Sequence, residues 1–383
     1  MSTIKQSIRP TFRAQSKPFY FLLGTTLFTV MLGLAMVGSA SSIDSFKETA
    51  SAWSTVFRQG GFAIIGIALL AIVSTLPVKL IRKTSLLALH ITLGLQVLTV
   101  FFGIEINGNR NWLDIGFTSI QPSEFLKLGL ILAFSHQLSK LTDDPYRNRQ
   151  VWLWIAGYSG LALILVVMLG KDMGTGAVMA VLLIGMFLIA GLPWSYFFGV
   201  CLLGALAAVA LVIQSPSRLM RFEAWLNPSA ADPMGVNWQY QHGTWALASG
   251  GIWGTGLGRS KLKWSWIPEV ENDFIFAVIG EELGLFGALF VIALFLVMGL
   301  AMFAIAKSQT NLFSRNLVVG VMLWVVMQAM INISVVLGLL PVLGVPLPLI
   351  SAGGSSLIAT LAAIGVVLAV ERDRVSKLGR SGS

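Results

Sequence analysis

The sequence predicts an all-α integral membrane protein of about ten transmembrane helices, with one long extracytoplasmic loop before the eighth. Three observations carry that prediction. Of 383 residues, 56% are hydrophobic and only 11% are charged, with a mean hydropathy of +0.80, a balance unsuited to a water-soluble fold. The apolar residues gather in runs of about 17 to 25, the length that crosses a bilayer as a helix. The basic residues fall in short clusters between those runs, so the formal charge of +9 is a topology signal and not a nucleic-acid patch.

The runs begin near Phe19, Gly61, Ser85, Ser123, Val151, Thr175, Pro193, Asp273, Leu312 and Ser351. The fourth, sixth and tenth are the least regular, each short or opening at a Gly/Pro-rich break. Before the first run stand Lys5, Arg9, Arg13 and Lys17, and after it Gly38-Ser39-Ala40, which imitates a signal-peptidase site. That run is about 20 residues long, more than a signal peptide needs, and many others follow it, so it is read as a span. An even number of spans puts both tails on one side. Sixteen of the 26 lysines and arginines then share that side, nine lie opposite, and Lys127 sits within a span. By the positive-inside rule both termini are cytoplasmic. The expected organisation is a cytoplasmic tail over 1–18, one polytopic membrane domain over 19–370 with its outer loop at about 214–272, and a cytoplasmic tail over 371–383.

The outer loop holds six tryptophans, among them Trp225, Trp238 and Trp253. Such residues form an interfacial belt or stack on sugars. The single cysteine, Cys201, permits no disulfide within the chain, and His90, His136 and His242 with one cysteine do not make a standard structural zinc site. No Walker A sequence occurs, and the glycines between Gly250 and Gly258 follow no strand, so no nucleotide is expected.

Ionisable groups inside spans are costly and therefore functional candidates. The fourth span opens Gln121-Pro122-Ser123-Glu124-Phe125-Leu126-Lys127, with Pro at a first helical position and Glu in the first turn. Glu124 and Lys127, three apart on one face, form a stabilising ion pair or point into a cavity that binds a polar headgroup. Arg110 and Trp112 combine a cation and an aromatic at the outer interface, as a membrane anchor or for phosphate and sugar recognition. The basic trio Arg259, Lys261 and Lys263 leads into Pro268-Glu269-Val270-Glu271-Asn272-Asp273; lipid headgroups are the usual partners of such a cluster. Asp273 opens the eighth span as a helix cap or as a reactive carboxylate. On a helix starting there, Ala277, Gly280, Gly284 and Gly287 share its side, a groove that packs a helix or passes a lipid tail. Glu281, on its flank and about 12 Å deeper, is placed to pair with Lys127. The stretch Pro346 to Ser356, with Ser351, interrupts the apolar character, and a loop there exposes N–H groups able to cradle an anion.

Four of these segments together resemble the FtsW/RodA polymerases, also called the SEDS family: Arg110-Asn111-Trp112 with Gln121 to Lys127; Asp172-Met173-Gly174-Thr175; Ser249 to Gly258 running into Asn272-Asp273-Phe274-Ile275-Phe276-Ala277 and Gly280 to Gly284; and Gly338 to Ser356. Their order and spacing match over nearly the whole span region. Ile350-Ser351 followed by Gly353-Gly354-Ser355-Ser356 looks more like the septal, FtsW-type branch than the elongation type, RodA. The chain departs from the family pattern at Glu271-Asn272, where His-Thr is common, and at Ser119, Gly243 and Ala352.

The resemblance implies ten spans in the bacterial cell membrane at the division septum, and a peptidoglycan glycosyltransferase that polymerises lipid II into glycan strands. It implies as partners a class B penicillin-binding transpeptidase and other divisome membrane proteins. The family's essential aspartate falls on Asp273, and its functional Arg-x-Trp and Gln-Pro-x-Glu residues fall on Arg110, Trp112 and Glu124. Such chemistry needs a base, or a carboxylate holding Mg²⁺ or Mn²⁺, on one side and cations on the other. Asp273 is the candidate for the first, as catalytic residue and metal ligand; Arg110, Lys127 and Lys263 are candidates for the second. Trp112, Glu124, Glu269, Glu281 and Ser351 complete the expected substrate contacts. A lipid II flippase, a scaffold for the transpeptidase and an elongation-type polymerase are the competing readings. A flippase places its carboxylates at mid-membrane, and a scaffold needs no buried charges.

Overall fold

The computed structural model describes residues 15–49, 53–106, 108–116, 118–141, 145–227, 238–261 and 270–381. Helices α1 (Lys17–Thr49), α2 (Ser54–Thr75) and α3 (Val78–Phe102) lead into three short strands, β1 (Ile104–Ile106), β2 (Asn109–Asp114) and β3 (Ser119–Ile120). Then come α4 (Pro122–Leu138), α5 (Pro145–Leu163) with a π-helical turn at Ile164–Leu169, α6 (Met173–Ile189) and α7 (Trp194–Ile213). The helices α8 (Pro216–Leu226), α9 (Trp238–Gly250), α10 (Ile275–Lys307), α11 (Leu312–Val336) and α12 (Gly354–Ser381) follow.

Among the described residues, eight helical stretches are long and apolar enough to cross a membrane: Lys17–Ser42, Ser54–Thr75, Val78–Phe102, Asn148–Leu169, Trp194–Ile213, Ile275–Lys307, Leu312–Val336 and Gly354–Leu378. This is a multi-pass membrane protein. The fourth and sixth runs of the sequence fold as α4 and α6, each of 17 residues. At 1.5 Å per residue each is about 26 Å long, just short of a ~30 Å hydrocarbon core. Pro122 opens α4 with its fixed φ, and the Asp172 carboxylate caps α6 by accepting from Thr175 N.

Several boundaries differ from expectation. Helices α2 and α3 begin at Ser54 and Val78, about two turns before the apolar runs at Gly61 and Ser85, because long side chains such as Arg58 and Lys79 let a helix continue to the interface. The long loop before α10 is partly helical, in α8 and α9. The segment expected as a tail from 371 continues α12, with Glu371–Arg374 and Asp373–Lys377 paired along it. The small sheet was not expected in an all-α protein. Its strands pair antiparallel, with Trp112 opposite Ile104 and Leu113 opposite Ile120, and are too short to show alternation.

Helix α12 is enclosed along most of its length and packs chiefly on α2, whereas α7 has no buried residue. The non-helical stretch between α11 and α12 dips into the bundle with Val345, Leu347, Leu349 and Ile350 buried, as irregular backbone in a membrane protein must be.

The expected groove along Asp273, Ala277, Gly280, Gly284 and Gly287 does not run unbroken, and only its upper part packs a helix. Helix α10 starts at Ile275 after a turn, and Gly284 at φ 68°, ψ −165° breaks it. Backbone from the segment after α9 enters the break: Thr255 N donates to Glu281 O (2.9 Å), Gly256 N to Glu282 O (3.0 Å), and Leu285 N to Gly251 O (2.9 Å). The N–H and C=O groups freed by the break are thereby paired. Above it the small residues pack a helix, since a Cβ on Gly250 of α9 would lie 2.0 Å from Gly280 O.

Candidate functional site

The C-terminal end of α3, the hairpin, the N-terminal ends of α4, α6, α10 and α12, and the C-terminal end of α11 meet at one end of the bundle. Cross-bonds tie them: Arg110 N donates to Gly170 O (2.9 Å), Gln121 N to Ser355 Oγ (3.0 Å) and Gln121 Nε2 to Asp172 Oδ2 (3.1 Å). This end gathers most of the described candidates.

Glu124 and Lys127 form an ion pair at 2.8 Å, each only 1% exposed. Helix α11 supplies the rest of the surroundings through Trp324, Gln328 and Asn332, spaced by four on one face. Lys127 Nζ donates to Gln328 Oε1 (2.9 Å) and lies 4.8 Å from the centre of the Trp324 ring, a desolvated cation–π contact. Trp324 Nε1 donates to the same oxygen (2.8 Å), and Gln328 Nε2 to Pro346 O (3.0 Å). One turn on, Asn332 Nδ2 donates to both Asp273 O (2.8 Å) and Val345 O (2.7 Å). Two amides one turn apart on α11 thus hold, respectively, the ion pair with Pro346 and the backbone of Asp273 with Val345. Glu124 Oε2, Ser123 Oγ and Asn332 Oδ1 are buried and have no hydrogen-bond partner among the described residues, where each such group costs roughly 1–3 kcal/mol.

Asp273 is half-buried in the turn before α10. The helix cap falls on Phe274, which makes no side-chain cap bond, so the expected capping position is one residue off. The carboxylate lies against the α11–α12 connection, for a Cβ on Gly344 would be 3.5 Å from Asp273 Oδ2.

Other candidates have different surroundings from those expected. Glu281 does not pair with Lys127. It accepts from Ser260 Oγ (2.5 Å) and Lys261 N (2.9 Å), while Glu282 accepts from Ser39 Oγ (2.6 Å) and Ser260 N (3.2 Å). The two carboxylates pin the segment that enters the helix break. Arg110 donates through Nε to Gly103 O (3.1 Å) and through Nη1 to Val100 O (3.4 Å), covering the end of α3, where carbonyls lack partners. Trp112 is half-buried in β2 beside it. Ser351 is buried and shapes its own loop: its Oγ accepts from Leu347 N (2.8 Å) and its carbonyl from Gln59 Nε2 (3.2 Å). The expected anion cradle there is filled from within, since Ile350 N and Ser351 N bond to Leu347 O, Ala352 N to Glu271 O, and Gly353 N to Gln59 Oε1. Lys263 and Glu269 lie outside the described residues.

Three site residues were missed by the sequence reading: Asp172, Gln328 and Asn332. Asp172 was noticed only within a motif. Its Oδ2 also accepts from Thr175 Oγ1 (2.8 Å), and burial raises its pKa above the ordinary carboxylate value, opposed by the Thr175 bonds. Gln328 and Asn332 carry no charge, but two amides four residues apart in an apolar run were a readable signal of interhelical bonding.

Fold and site define a class: a multi-pass membrane protein with a buried ion pair and a carboxylate gathered at one end of its bundle. The profile of the family described as Cell cycle protein, FtsW/RodA/SpoVE, matches residues 20–376, and the chain belongs to that family. It is 36% identical to stage V sporulation protein E of Bacillus subtilis over 360 residues, 94% of this chain and 98% of that one. It is also 36% identical to the probable peptidoglycan glycosyltransferase FtsW of Mycobacterium tuberculosis over 351 residues, covering 91% of this chain and 67% of that protein. Among solved structures it matches a chain from a study of polymerization and crosslinking by a peptidoglycan synthase complex, with a TM-score of 0.75 and 28% identity over 94% of this chain and 98% of that one. The rod shape determining protein RodA of Thermus thermophilus matches with a TM-score of 0.70 and 27% identity, over 95% and 99% of the two chains.

Proposed function

We propose that this protein is a peptidoglycan glycosyltransferase that polymerises lipid II into glycan strands for septal wall synthesis. The observation that carries the reading is the buried cluster in which Glu124–Lys127 bonds to Gln328 and, one turn along α11, Asn332 holds the carbonyl of Asp273, in a family whose relatives are named for that activity. The 4-hydroxyl oxygen of the acceptor sugar bonds to the anomeric carbon of the donor. Its proton passes to the Asp273 carboxylate, and the bond from the anomeric carbon to the pyrophosphate breaks with the electron pair leaving on the pyrophosphate. One displacement on an α-linked donor inverts to a β-linkage without a covalent enzyme intermediate. Arg110, Lys127 and Lys263 are the cations proposed to offset the phosphate charge, Trp112 and Glu124 contact the sugars, and Ser351 and Glu281 hold the loops around them.

Among the described residues no three His, Cys, Asp or Glu side chains gather as a metal cage. A single carboxylate still fits Mg²⁺ or Mn²⁺, which are commonly held by one or two carboxylates with substrate phosphates. Asp273 is the proposed ligand, and the ion bound there supplies charge neutralisation of the pyrophosphate.

The proposed arrangement has ten spans in the bacterial cell membrane, both termini in the cytoplasm and the Asp273 end outside, at the septum, with a class B penicillin-binding transpeptidase and other divisome proteins as partners. In a Cys201→Ser background, Ser249→Cys is expected to react with an impermeant thiol reagent in cells stripped of any outer barrier, and Lys140→Cys is not. Reversed labelling would place the site in the cytoplasm and reject the arrangement. The activity is tested with purified protein, its transpeptidase and lipid II: glycan strands are the expected product. Lipid II movement between leaflets without strands would support a flippase instead.

A further inference from the structure

At the same end of the bundle lies a cavity of about 520 Å³ between the α5–α6 turn, the end of α7, α8 and the start of the α11–α12 connection. Its charged lining is Lys171, Arg218 and Arg221 against one carboxylate, Glu105. Among the described residues none of the three cations is in a salt bridge. Arg218 donates only to backbone, through Nη2 to Lys171 O (3.1 Å) and Nη1 to Leu211 O (3.4 Å). Burial and then the neighbouring Arg221 lower the pKa of Arg218, with Asp172 opposing, as expected where buried cations converge. Lys171 adopts φ +57°, a left-handed conformation that a non-glycine residue holds only when its surroundings impose it. That conformation lets consecutive residues serve two sites: Asp172 caps α6 within the buried network while Lys171 lines the cavity. Phe222 and Leu211 add apolar lining, and α7, whose end forms one wall, has no buried residue. The cavity therefore combines a cationic end with an apolar flank at the end of α7. Leu343 lines it as well, and the next residue, Gly344, is the one against Asp273.

We propose that this cavity is the subsite for the pyrophosphate of a polyprenyl-linked donor, seated beside the Leu343–Gly344 wall whose other side faces Asp273. The assignment rests on the glycosyltransferase reading above, which requires a lipid pyrophosphate near the carboxylate. Guanidinium forks match phosphate oxygens in pairs, and a lysine adds a point charge.

The test uses full-length protein in phosphatidylcholine nanodiscs and measures binding of undecaprenyl pyrophosphate, alongside strand synthesis from lipid II. Lys171→Gln with Arg221→Gln removes two charges that make no bond within the described fold, and Arg218→Lys keeps charge while losing the fork. The double variant is expected to bind undecaprenyl pyrophosphate at least about tenfold more weakly. Lys83→Gln, on the far end of α3, is expected to bind as the wild type does. Inorganic pyrophosphate is expected to compete, and phosphatidylglycerol at equal mole fraction is not. Equal binding by the double variant and the wild type overturns the subsite. So does competition by phosphatidylglycerol, which would reveal a general headgroup site. Strand synthesis keeps the two claims apart. A wild type that makes strands beside a double variant with undiminished binding rejects the subsite alone. A wild type without activity whose cavity variant has lost binding rejects the polymerase reading alone.

Discussion

Lys127→Met is expected to be inactive and poorly folded, and the exchange Glu124→Lys with Lys127→Glu to be better folded yet still inactive. The pair is fully enclosed, and removing one partner of a buried pair typically costs about 3–5 kcal/mol, because the other charge is left in a poor solvent. The exchange restores neutrality, so part of that loss returns. It does not restore the surroundings. Gln328 Oε1 accepts from both Lys127 and Trp324, and a carboxylate at 127 would meet that oxygen and the negative face of the indole. Apart from the exchanged ammonium, it would have to draw a donor out of existing bonds, such as the amide nitrogen that now donates to Pro346 O. A pair that serves folding alone should therefore regain most activity along with stability. A pair whose free acceptor, Glu124 Oε2, touches substrate should regain stability only. Strand synthesis from lipid II and thermal unfolding in detergent are the two readouts. Full recovery of polymerisation by the exchanged protein rejects the substrate contact.

The helices were legible because a bilayer demands long apolar runs, which any reading of the chain finds. The start of α4 was legible for a second reason: Pro122, Glu124 and Lys127 declare a helix opening and a pair at i, i+3 without reference to anything distant. Relations across the fold were not. Glu281 was expected to pair with Lys127, and it is the depth of the segment around Ser260 that gives it other partners. Gly284 reads the same whether it lines a groove or breaks the helix. Its left-handed φ follows from the backbone of Gly251 to Gly256 lying in the gap, a tertiary fact with no local signature. The loop at Ser351 was read correctly as irregular backbone. Its N–H groups went to Gln59, Glu271 and Leu347, partners 3 to 294 positions away in sequence that a linear motif does not name.

Asp273→Asn is expected to abolish strand synthesis while leaving the fold intact. The residue is anchored through its backbone, since Asn332 Nδ2 holds its carbonyl at 2.8 Å and Val345 O at 2.7 Å. Its side chain therefore leaves from a fixed point beside Gly344, and Asn follows the same path. The cap of α10 falls on Phe274, so helix stability does not hinge on the substitution. What is lost is the negative charge that accepts a proton or holds a divalent cation. Loss of general-base help alone typically costs about 10² to 10⁴ in rate. Asp273→Glu separates charge from placement. It keeps the charge but advances the carboxylate by one methylene toward the backbone at Gly344, where a Cβ would already lie 3.5 Å from Asp273 Oδ2. A displacement of about 1 Å can cost roughly 10²-fold in a positioned reaction, so the Glu variant should also fall by about two orders of magnitude. Both variants are measured for strand synthesis with the transpeptidase present, for lipid II binding and for thermal unfolding. Binding and unfolding temperature near the wild-type values, with synthesis lost in both, is the expected result. Near wild-type synthesis by Asp273→Asn would remove the carboxylate from the chemistry and leave it as a structural turn residue.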